Sequence, residues 1–215
     1  MAQQERAIET RAAIIRGAAA AFQERGYGST SLAQVSAAAG VTKGALYFHF
    51  DSKEALAVAI IDAQHEASAA IGRTMLEQNV PGLRAILTMS LELARQLHED
   101  PIVSAGVRLT IEAANFETPI AGPYLDWMEA CEEYLRRGIV EGDISPSIDV
   151  VAMGHFIISA FTGVQVISDV LTGRDDIEDR LMEMWSVIMP CLVPGDRWHD
   201  LKDLPTRIRQ ERAAA

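Results

Sequence analysis

Residues 42–50 carry the side chains whose chemistry is easiest to interpret. On a helix, Lys43 and Tyr47 are four residues apart and share one face, with Gly44 and Ala45 beside them. A cation, two small residues and an aromatic hydroxyl suit the base edges and phosphates of a DNA groove. Gly44 costs about 1 kcal/mol of helix propensity relative to alanine, a cost expected where another backbone must approach closely. This face is therefore a candidate nucleic-acid contact.

The same segment allows a second interpretation, in which residues 47–49 are core aromatics of a small helical bundle and Lys43 is a solvated charge. Helical spacing leaves Phe48 between the two faces, so the core and the surface both stay open for it. Leu46 and Phe50 are four residues apart on the opposite side and are expected to anchor the helix. The DNA interpretation requires the lysine to point outward.

Two short helices are predicted to position this face. Ser31, followed three residues later by Gln34, forms a capping box that begins one helix, and Gly40 ends it. Thr42 can cap the next helix. Two short helices joined by a tight turn form a helix-turn-helix, whose second helix enters the DNA major groove.

Longer helices flank this pair. Apolar residues recur at helical spacing from Ile8 to Phe22, and Gly26 is a typical residue at which such a helix ends. Asp51 and Glu54 form a second predicted capping box, opening a fourth helix that continues to about residue 78. This fourth helix would link the DNA-binding part to the rest of the chain.

Beyond the fourth helix, helical periodicity is interrupted by prolines, and no strand pattern competes with it. Asp100 and Thr118 each precede a proline and are predicted helix N-caps. Helices are predicted near residues 82–98, 101–113, 121–141, 148–172 and 176–192, followed by a short helix after Arg197. The chain is therefore predicted to be all-α, with an N-terminal three-helix helix-turn-helix DNA-binding domain at 1–54 and a larger C-terminal helical ligand-binding and dimerisation domain at 55–215.

The predicted helix at 148–172 is apolar almost all round, so a second surface must cover the face that its own core leaves free. Paired with the helix around Trp185, it would form a four-helix bundle with a second copy of the chain. The alternative is that both helices lie inside one monomer's core. A homodimer is favoured because a two-fold axis also matches paired DNA half-sites.

Polar residues among apolar neighbours are candidates for a small-molecule site. Gln64 on the fourth helix and Thr162 within the run AFTGVQ could each bond a carbonyl or hydroxyl of a ligand in an apolar cavity. For each, a surface position or a locally satisfied hydrogen bond is the alternative.

The charge of the chain is unevenly distributed. The formal net charge is −11, yet residues 1–54 hold six Lys or Arg against five Asp or Glu, whereas residues 55–215 hold thirteen against twenty-five. Polyanionic DNA would repel the acidic part and tolerate the N-terminal part, so the asymmetry would orient the molecule on a duplex.

Several classes of protein are disfavoured. A 49% hydrophobic and 23% charged composition argues against disorder. Nucleophile, phosphate-loop and zinc-protease motifs are missing, so we expect no enzyme, cofactor or metal, and His49 is expected to contact phosphate or solvent. Cys131 and Cys191 are predicted to be buried free thiols. No segment approaches about 18 uninterrupted apolar residues, and the polar start MAQQERAIETR lacks a signal peptide, so a cytoplasmic protein with no membrane partner is expected.

These residues resemble a known family. The run from Thr10 to Leu56, containing AFQERGYGSTSLAQVSAAAGVTKGALYFHFDSKEAL, resembles the DNA-binding domain of the TetR family of repressors. Its segment GVTKGALYFHF, followed by SKE, is highly specific. Together with the tryptophan of PYLDWMEA, the chain is similar to the gamma-butyrolactone receptors of antibiotic-producing actinobacteria.

The resemblance implies a set of site residues. Recognition-helix contacts to DNA fall at Thr42, Lys43, Gly44, Ala45, Tyr47 and His49. Phosphate contacts at helix starts fall at Ser29, Thr30, Ser31 and Lys53, where backbone N–H groups and a lysine both favour an anion. Trp127 matches the pocket tryptophan of the butyrolactone receptors.

The resemblance also implies a function. A dimer would bind a palindromic double-stranded operator, and a small hydrophobic effector, gamma-butyrolactone-like, would release it. A drug-responsive or antibiotic-responsive repressor is the first alternative. An all-helical small-molecule-binding protein or enzyme without a DNA role, and an interaction adaptor, are the others.

Overall fold

The computed structural model describes residues 2–113, 116 and 119–214, and every regular element among them is an α-helix. In chain order the helices are α1 (Ala2–Arg25), α2 (Leu32–Ala38), α3 (Lys43–His49), α4 (Lys53–Glu77), α5 (Gly82–Glu99), α6 (Pro101–Glu112), α7 (Gly122–Glu141), α8 (Val150–Thr172), α9 (Ile177–Leu192), α10 (Trp198–Leu201) and α11 (Leu204–Ala213). The predicted all-α class is confirmed. The predicted cap Thr118 lies outside the described residues.

The chain divides into two compact units. The first holds the residues up to Ala69 together with Glu99–Ile120, and the second holds Ala70–His98 and the residues from Ala121 onward. The helix α4 begins in the first unit and ends in the second, while α6 belongs to the first. The predicted functional boundary after residue 54 falls in the first turn of α4 and stays a prediction.

The first unit is built around α1. Its buried residues pack with residues of α2, α3, α4 and α6 in one apolar core, which includes Ile14, Ala18, Phe22, Val35, Leu46, Phe50, Leu56, Ile60, Ala105 and Leu109. Ile8 was grouped with this apolar pattern, but it is 64% exposed. The helix starts at Ala2 and extends about three turns before Ile14, its first residue in the core.

Close approach of backbones fixes the helix-turn-helix on α1. A Cβ atom at Gly17 of α1 would lie 2.6 Å from the Ala39 nitrogen at the end of α2, so only glycine fits there. Gly40 then adopts a φ of +66°, which glycine tolerates and which turns the chain into α3. These two glycines set the position from which α3 is presented.

Side-chain caps begin the short helices as predicted, with one correction. Ser31 and Gln34 form the capping box of α2, and the Ala45 N–H donates to the Thr42 hydroxyl at 3.1 Å. At α4, however, it is the Ser52 hydroxyl that accepts from the third N–H of the helix. The predicted capping box at residues 51 and 54 is therefore wrong by one position, because the helix starts at Lys53.

The second unit has its own core. Trp185 of α9 is fully buried, and its indole N–H donates to the Ser90 hydroxyl of α5 at 2.9 Å. The unit also buries apolar residues of α5, α7, α8 and α9, which include Leu83, Leu87, Leu91, Leu135, Ile157, Leu181, Ile188 and Leu192. The satisfied indole is the arrangement expected of a tryptophan in a core.

The two cysteines differ. Burial, and then the nearby Glu132 carboxylate, raise the pKa of the Cys131 thiol to about 12, so this thiol stays protonated at neutral pH. Cys191 is exposed on α9, so the prediction that both thiols are buried is wrong for this one. Its neighbours Met189 and Leu192 are buried on another face of the helix.

The α8 helix leaves apolar side chains uncovered. By length and composition it could cross a membrane, which corrects the expectation that no segment approaches that limit. Its Gln165 and Ser168 are nevertheless buried within the unit. The exposed apolar side chains of α8 and α9 include Val151, Phe156, Val166, Ile167, Val170, Leu171 and Val187.

Candidate nucleic-acid interface and ligand residues

The α3 helix presents Lys43 and Tyr47 to solvent. Lys43 is exposed and Tyr47 is 54% exposed, whereas Leu46 is fully buried and Phe50 is 4% exposed. The aliphatic and aromatic anchors thus hold the helix from below. The exposure of Tyr47 excludes it as a core aromatic, whereas an exposed Lys43 agrees both with a DNA contact and with a solvated charge.

Phe48 is a surface residue that the sequence pattern left undecided. It is 81% exposed, and its ring meets the His49 ring edge-on at a centroid distance of 5.1 Å. The alternative of a core position is therefore wrong for Phe48. Sequence reasoning omitted this residue from the candidate contacts, although an exposed phenyl ring can pack on a thymine methyl group in the major groove.

Gly44 is not required by the fold of the protein. A Cβ atom there would meet only the Thr42 hydroxyl oxygen, at 3.9 Å, and otherwise open space. The backbone needs no left-handed conformation at this position either. A glycine that the free protein does not need, on the outward face of α3, supports close approach of a partner.

Gly44→Ala is expected to separate stability from DNA binding. The free energy of unfolding should rise by about 0.5–1 kcal/mol, because alanine favours the helix. Affinity for a DNA duplex selected by the wild-type protein should fall roughly tenfold, because a methyl group then stands between α3 and the bases. Thermal unfolding and fluorescence anisotropy measure the two effects.

Gly122→Ala is the matched control for this prediction. Gly122 is an exposed helical glycine of α7 with no atom near its added Cβ. It should leave DNA affinity unchanged. Unchanged affinity in the Gly44 variant as well would show that close approach at this position is unnecessary.

The predicted phosphate contacts before α2 fall into two groups. Ser29 and Ser31 are exposed, although the Ser31 hydroxyl is occupied in the capping box. Thr30 is only 2% exposed, and its hydroxyl donates to the Gly26 carbonyl at 2.8 Å and to the Ala21 carbonyl at 3.2 Å. The prediction that the Thr30 side chain contacts DNA is therefore wrong. Its hydroxyl instead holds the end of α1.

Lys53 also has partners within the protein. Its ammonium donates to the Tyr27 carbonyl at 2.9 Å and lies 4.3 Å from the centroid of the Tyr27 ring. The lysine thus ties the start of α4 to the turn between α1 and α2. A phosphate contact at Lys53 stays a prediction, and it would share the ammonium with this turn.

Thr42, Ala45 and His49 complete the predicted contacts on α3. Thr42 is exposed, while Ala45 and His49 are half-buried. No group of three or more potential metal-ligating side chains occurs among the described residues. The exposed residues of the predicted set around α3 are therefore Thr42, Lys43, Gly44 and Tyr47.

Trp127 and Thr162 both lie beside Tyr124 in the second unit. The sequence analysis did not single out Tyr124. The rings of Tyr124 and Trp127 meet edge-on at 5.4 Å. Burial raises the pKa of the Tyr124 hydroxyl, and the nearby Thr162 side chain partly offsets this rise. The i, i+3 spacing of the two aromatics on α7 was the available signal for Tyr124.

The Thr162 hydroxyl already has a local partner. It donates to the Ile158 carbonyl one turn earlier at 2.8 Å, which is the locally satisfied alternative. Its oxygen lone pairs keep a role as acceptors. A ligand would therefore meet Thr162 as an acceptor, together with the aromatic rings of α7.

Gln64 lies in the first unit, in α4, and is fully buried. Its amide N–H donates to the Ser68 hydroxyl at 2.7 Å, whereas its carbonyl oxygen has no hydrogen-bond partner among the residues that the structure describes. An unsatisfied buried acceptor costs about 1–3 kcal/mol. A ligand contact at Gln64 stays a prediction.

A short recognition helix with an outward lysine and tyrosine, held on α1 by a glycine contact, defines a helix-turn-helix DNA-binding regulator. Comparison with known families agrees with this class. Residues 14–60 match the model of the tetR family of bacterial regulatory proteins, and residues 80–194 match the tetracyclin repressor-like C-terminal domain.

Individual relatives match over most of the chain. The A-factor receptor protein of Streptomyces griseus is 36% identical, over 91% of this chain and 68% of the relative. The crystal structure of a gamma-butyrolactone receptor superposes with a TM-score of 0.83 at 34% identity, over 96% of this chain and 99% of that one. CprB of Streptomyces coelicolor, solved with its operator sequence, gives 0.80 at 34% identity, over 96% and 99%.

The chain belongs to the TetR family of bacterial regulators. It is a DNA-binding transcriptional repressor of that family.

Proposed function

We propose that the chain represses transcription as a homodimer on a palindromic operator, and that an effector of the gamma-butyrolactone class releases it. The observation that carries the DNA part is the outward placement of Lys43 and Tyr47 on α3, with Leu46 and Phe50 beneath them. A soluble regulator of this kind would act in the cytoplasm.

The DNA-binding state requires two copies of α3 at a fixed spacing. Successive major grooves on one side of a duplex are about 34–36 Å apart, so a two-fold dimer presents its recognition helices at that distance. The neutral to basic N-terminal part faces the duplex, and the acidic remainder faces away. Affinity is expected to fall steeply with salt, because bound counterions are released from the phosphates.

Release follows if the effector binds a second dimer shape more tightly. A coupling of about 1–3 kcal/mol per site is typical, and it acts in both directions. Operator DNA should therefore weaken effector binding by the same factor. Release of DNA then requires only that the effector shift the population from one dimer conformation to the other.

Support for a lactone effector comes from the polar and aromatic groups near the proposed ligand residues. Trp127 and Tyr124 offer aromatic faces, and Thr162 offers an acceptor oxygen for a ligand hydroxyl. The chain is 36% identical to a protein of Streptomyces griseus that is named as the receptor for A-factor. Gln64, with its unpartnered carbonyl, is a further proposed contact.

Trp127→Ala is expected to remove the effector response and keep DNA binding. In wild-type protein, A-factor should displace a fluorescent duplex selected from a randomised pool. The variant should bind that duplex normally but need roughly tenfold more A-factor or more, because a large aromatic surface is lost. Anisotropy titrations with A-factor measure this difference.

Leu125→Ala provides the control, since Leu125 is 62% exposed on the same helix. It should respond to A-factor like the wild type. Equal release of the wild type and the Trp127 variant would remove Trp127 from the site. A wild-type protein that holds its duplex in the presence of A-factor would favour the drug-responsive alternative.

A further inference from the structure

We propose that Arg108 of α6 is a positioning residue for DNA binding, because it holds the end of α1 from which the helix-turn-helix is suspended. This inference rests on the proposed operator binding. Arg108 lies outside α1, α2 and α3 and 65 residues from Lys43 in sequence. Its guanidinium nevertheless makes a direct contact with α1.

The contact occurs at the C-terminus of α1. The Arg108 guanidinium donates to the Gln23 carbonyl at 3.0 Å. Gln23 is among the last residues of α1, whose carbonyls have no partner within the helix and carry partial negative charge. A cation at this end of α1 is therefore electrostatically favourable. The Arg108 bond also satisfies a free carbonyl group, as a C-cap residue does.

The guanidinium also lies against the turn that leaves α1. A Cβ atom at Gly26 would be 3.2 Å from a terminal nitrogen of Arg108. The next residue, Tyr27, contacts Phe116 with a ring centroid distance of 4.8 Å, and its carbonyl accepts from Lys53. The turn into α2 is thus held from α6, from the residue Phe116 beyond it, and from α4.

An ion pair fixes the orientation of Arg108. Its Nε donates to the Glu112 carboxylate one turn later at 2.9 Å, while a separate N–H group reaches Gln23. The two bonds use different donors of one planar group. Removing Glu112 leaves the carbonyl contact available, so the pair and the contact with α1 can be tested separately.

Gly106, on another side of α6, packs against Gln64, which is proposed to contact the effector. A Cβ atom at Gly106 would be 2.4 Å from the Gln64 Cβ, so α4 and α6 pack closely there. Gly106 and Arg108, two residues apart, point to different sides of α6. The helix α6 therefore contacts Gln64 of α4 on one side and the end of α1 on another. Arg108 makes the contact with α1.

The test compares operator affinity among matched variants, using a duplex selected from a randomised pool by the wild-type dimer. Arg108→Met removes the donors but keeps an apolar stem and should weaken binding about tenfold, as expected for a charge-assisted hydrogen bond in each of two subunits. Arg108→Lys restores a cation and should recover most of the affinity. The slope of log affinity against log salt should stay that of the wild type, because no phosphate contact is lost.

Two control variants isolate the contact. Glu112→Gln removes only the ion-pair partner, and Arg136→Met removes the i, i+4 pair of Arg136 with Glu132 on α7. Both should bind the duplex and unfold like the wild type, because exposed ion pairs contribute little to stability.

Wild-type affinity in Arg108→Met would overturn the proposal. So would an Arg108→Lys variant as weak as Arg108→Met, or a salt slope lowered by about one, which would indicate a direct phosphate contact. If the wild type selects no duplex at all, operator binding fails together with this inference. A selected duplex that Arg108→Met binds normally would remove the inference alone.

Discussion

Lys43→Ala is expected to weaken operator binding by the dimer roughly 30-fold or more, since each well-placed base contact contributes about 1–3 kcal/mol and the dimer makes it twice. The fold should be unaffected, because Lys43 is exposed at the first position of α3 and the buried anchor Leu46 remains. Fluorescence anisotropy with the selected duplex measures the loss, and circular dichroism checks the fold.

Lys202→Ala is the matched control, since Lys202 is an exposed lysine in the second unit. This variant removes one positive charge, as Lys43→Ala does, but the charge does not belong to α3. Its effect on affinity should stay below about twofold, because Lys202 is not among the predicted DNA contacts. Equal losses in the two variants would mean that net charge, and not the recognition face, governs binding.

Val187→Asp is expected to separate the dimer and to abolish specific DNA binding at nanomolar protein. Val187 is 71% exposed and lines a groove of about 270 Å³ on the surface of α8 and α9. The other lining residues are the apolar Val164, Ile167 and Met184 and the charged Arg180 and Glu183. A carboxylate there would be desolvated against an apolar partner face and repeated across the two-fold axis. A monomer engages one half-site, so affinity should fall by a factor of roughly 100 or more.

Val140→Asp is the control for the dimer face. Val140 is 88% exposed on α7, outside the groove. Light scattering should give the dimer mass for this variant and half of it for Val187→Asp. If Val187→Asp remained a dimer of wild-type affinity, α8 and α9 would not form the interface.

Local signals in the sequence predicted much of the fold. Ser31 with Gln34 and Thr42 each satisfied backbone N–H groups within a few residues, so the pattern alone predicted where α2 and α3 begin. The start of α4 was harder, because Asp51 and Ser52 are both good caps and only the packing of the helix selects one.

Contacts between distant residues were beyond the sequence pattern. Thr30 lies beside exposed serines, yet its hydroxyl is buried because it reaches the Ala21 carbonyl nine residues earlier. The bond from Arg108 to the Gln23 carbonyl joins residues 85 apart and leaves no periodic signature. These contacts follow from the tertiary fold, which periodicity does not encode.

The recognition face was predictable in part. Lys43 and Tyr47 followed from helical spacing, since Leu46 and Phe50 had to be buried. Phe48 did not, because a phenyl ring is usually a core residue and the pattern placed it between two faces. Its 81% exposure adds an apolar group to a face that sequence reasoning had described as basic and polar.

Photo-crosslinking tests the outward face of α3 most directly. Benzoylphenylalanine in place of Phe48 is expected to crosslink to bases of the selected duplex, whereas the same group in place of the equally exposed Val140 should not. Crosslinks from Phe48 that map to the two half-sites would agree with recognition by α3. Crosslinking from the Val140 position and none from the Phe48 position would contradict it.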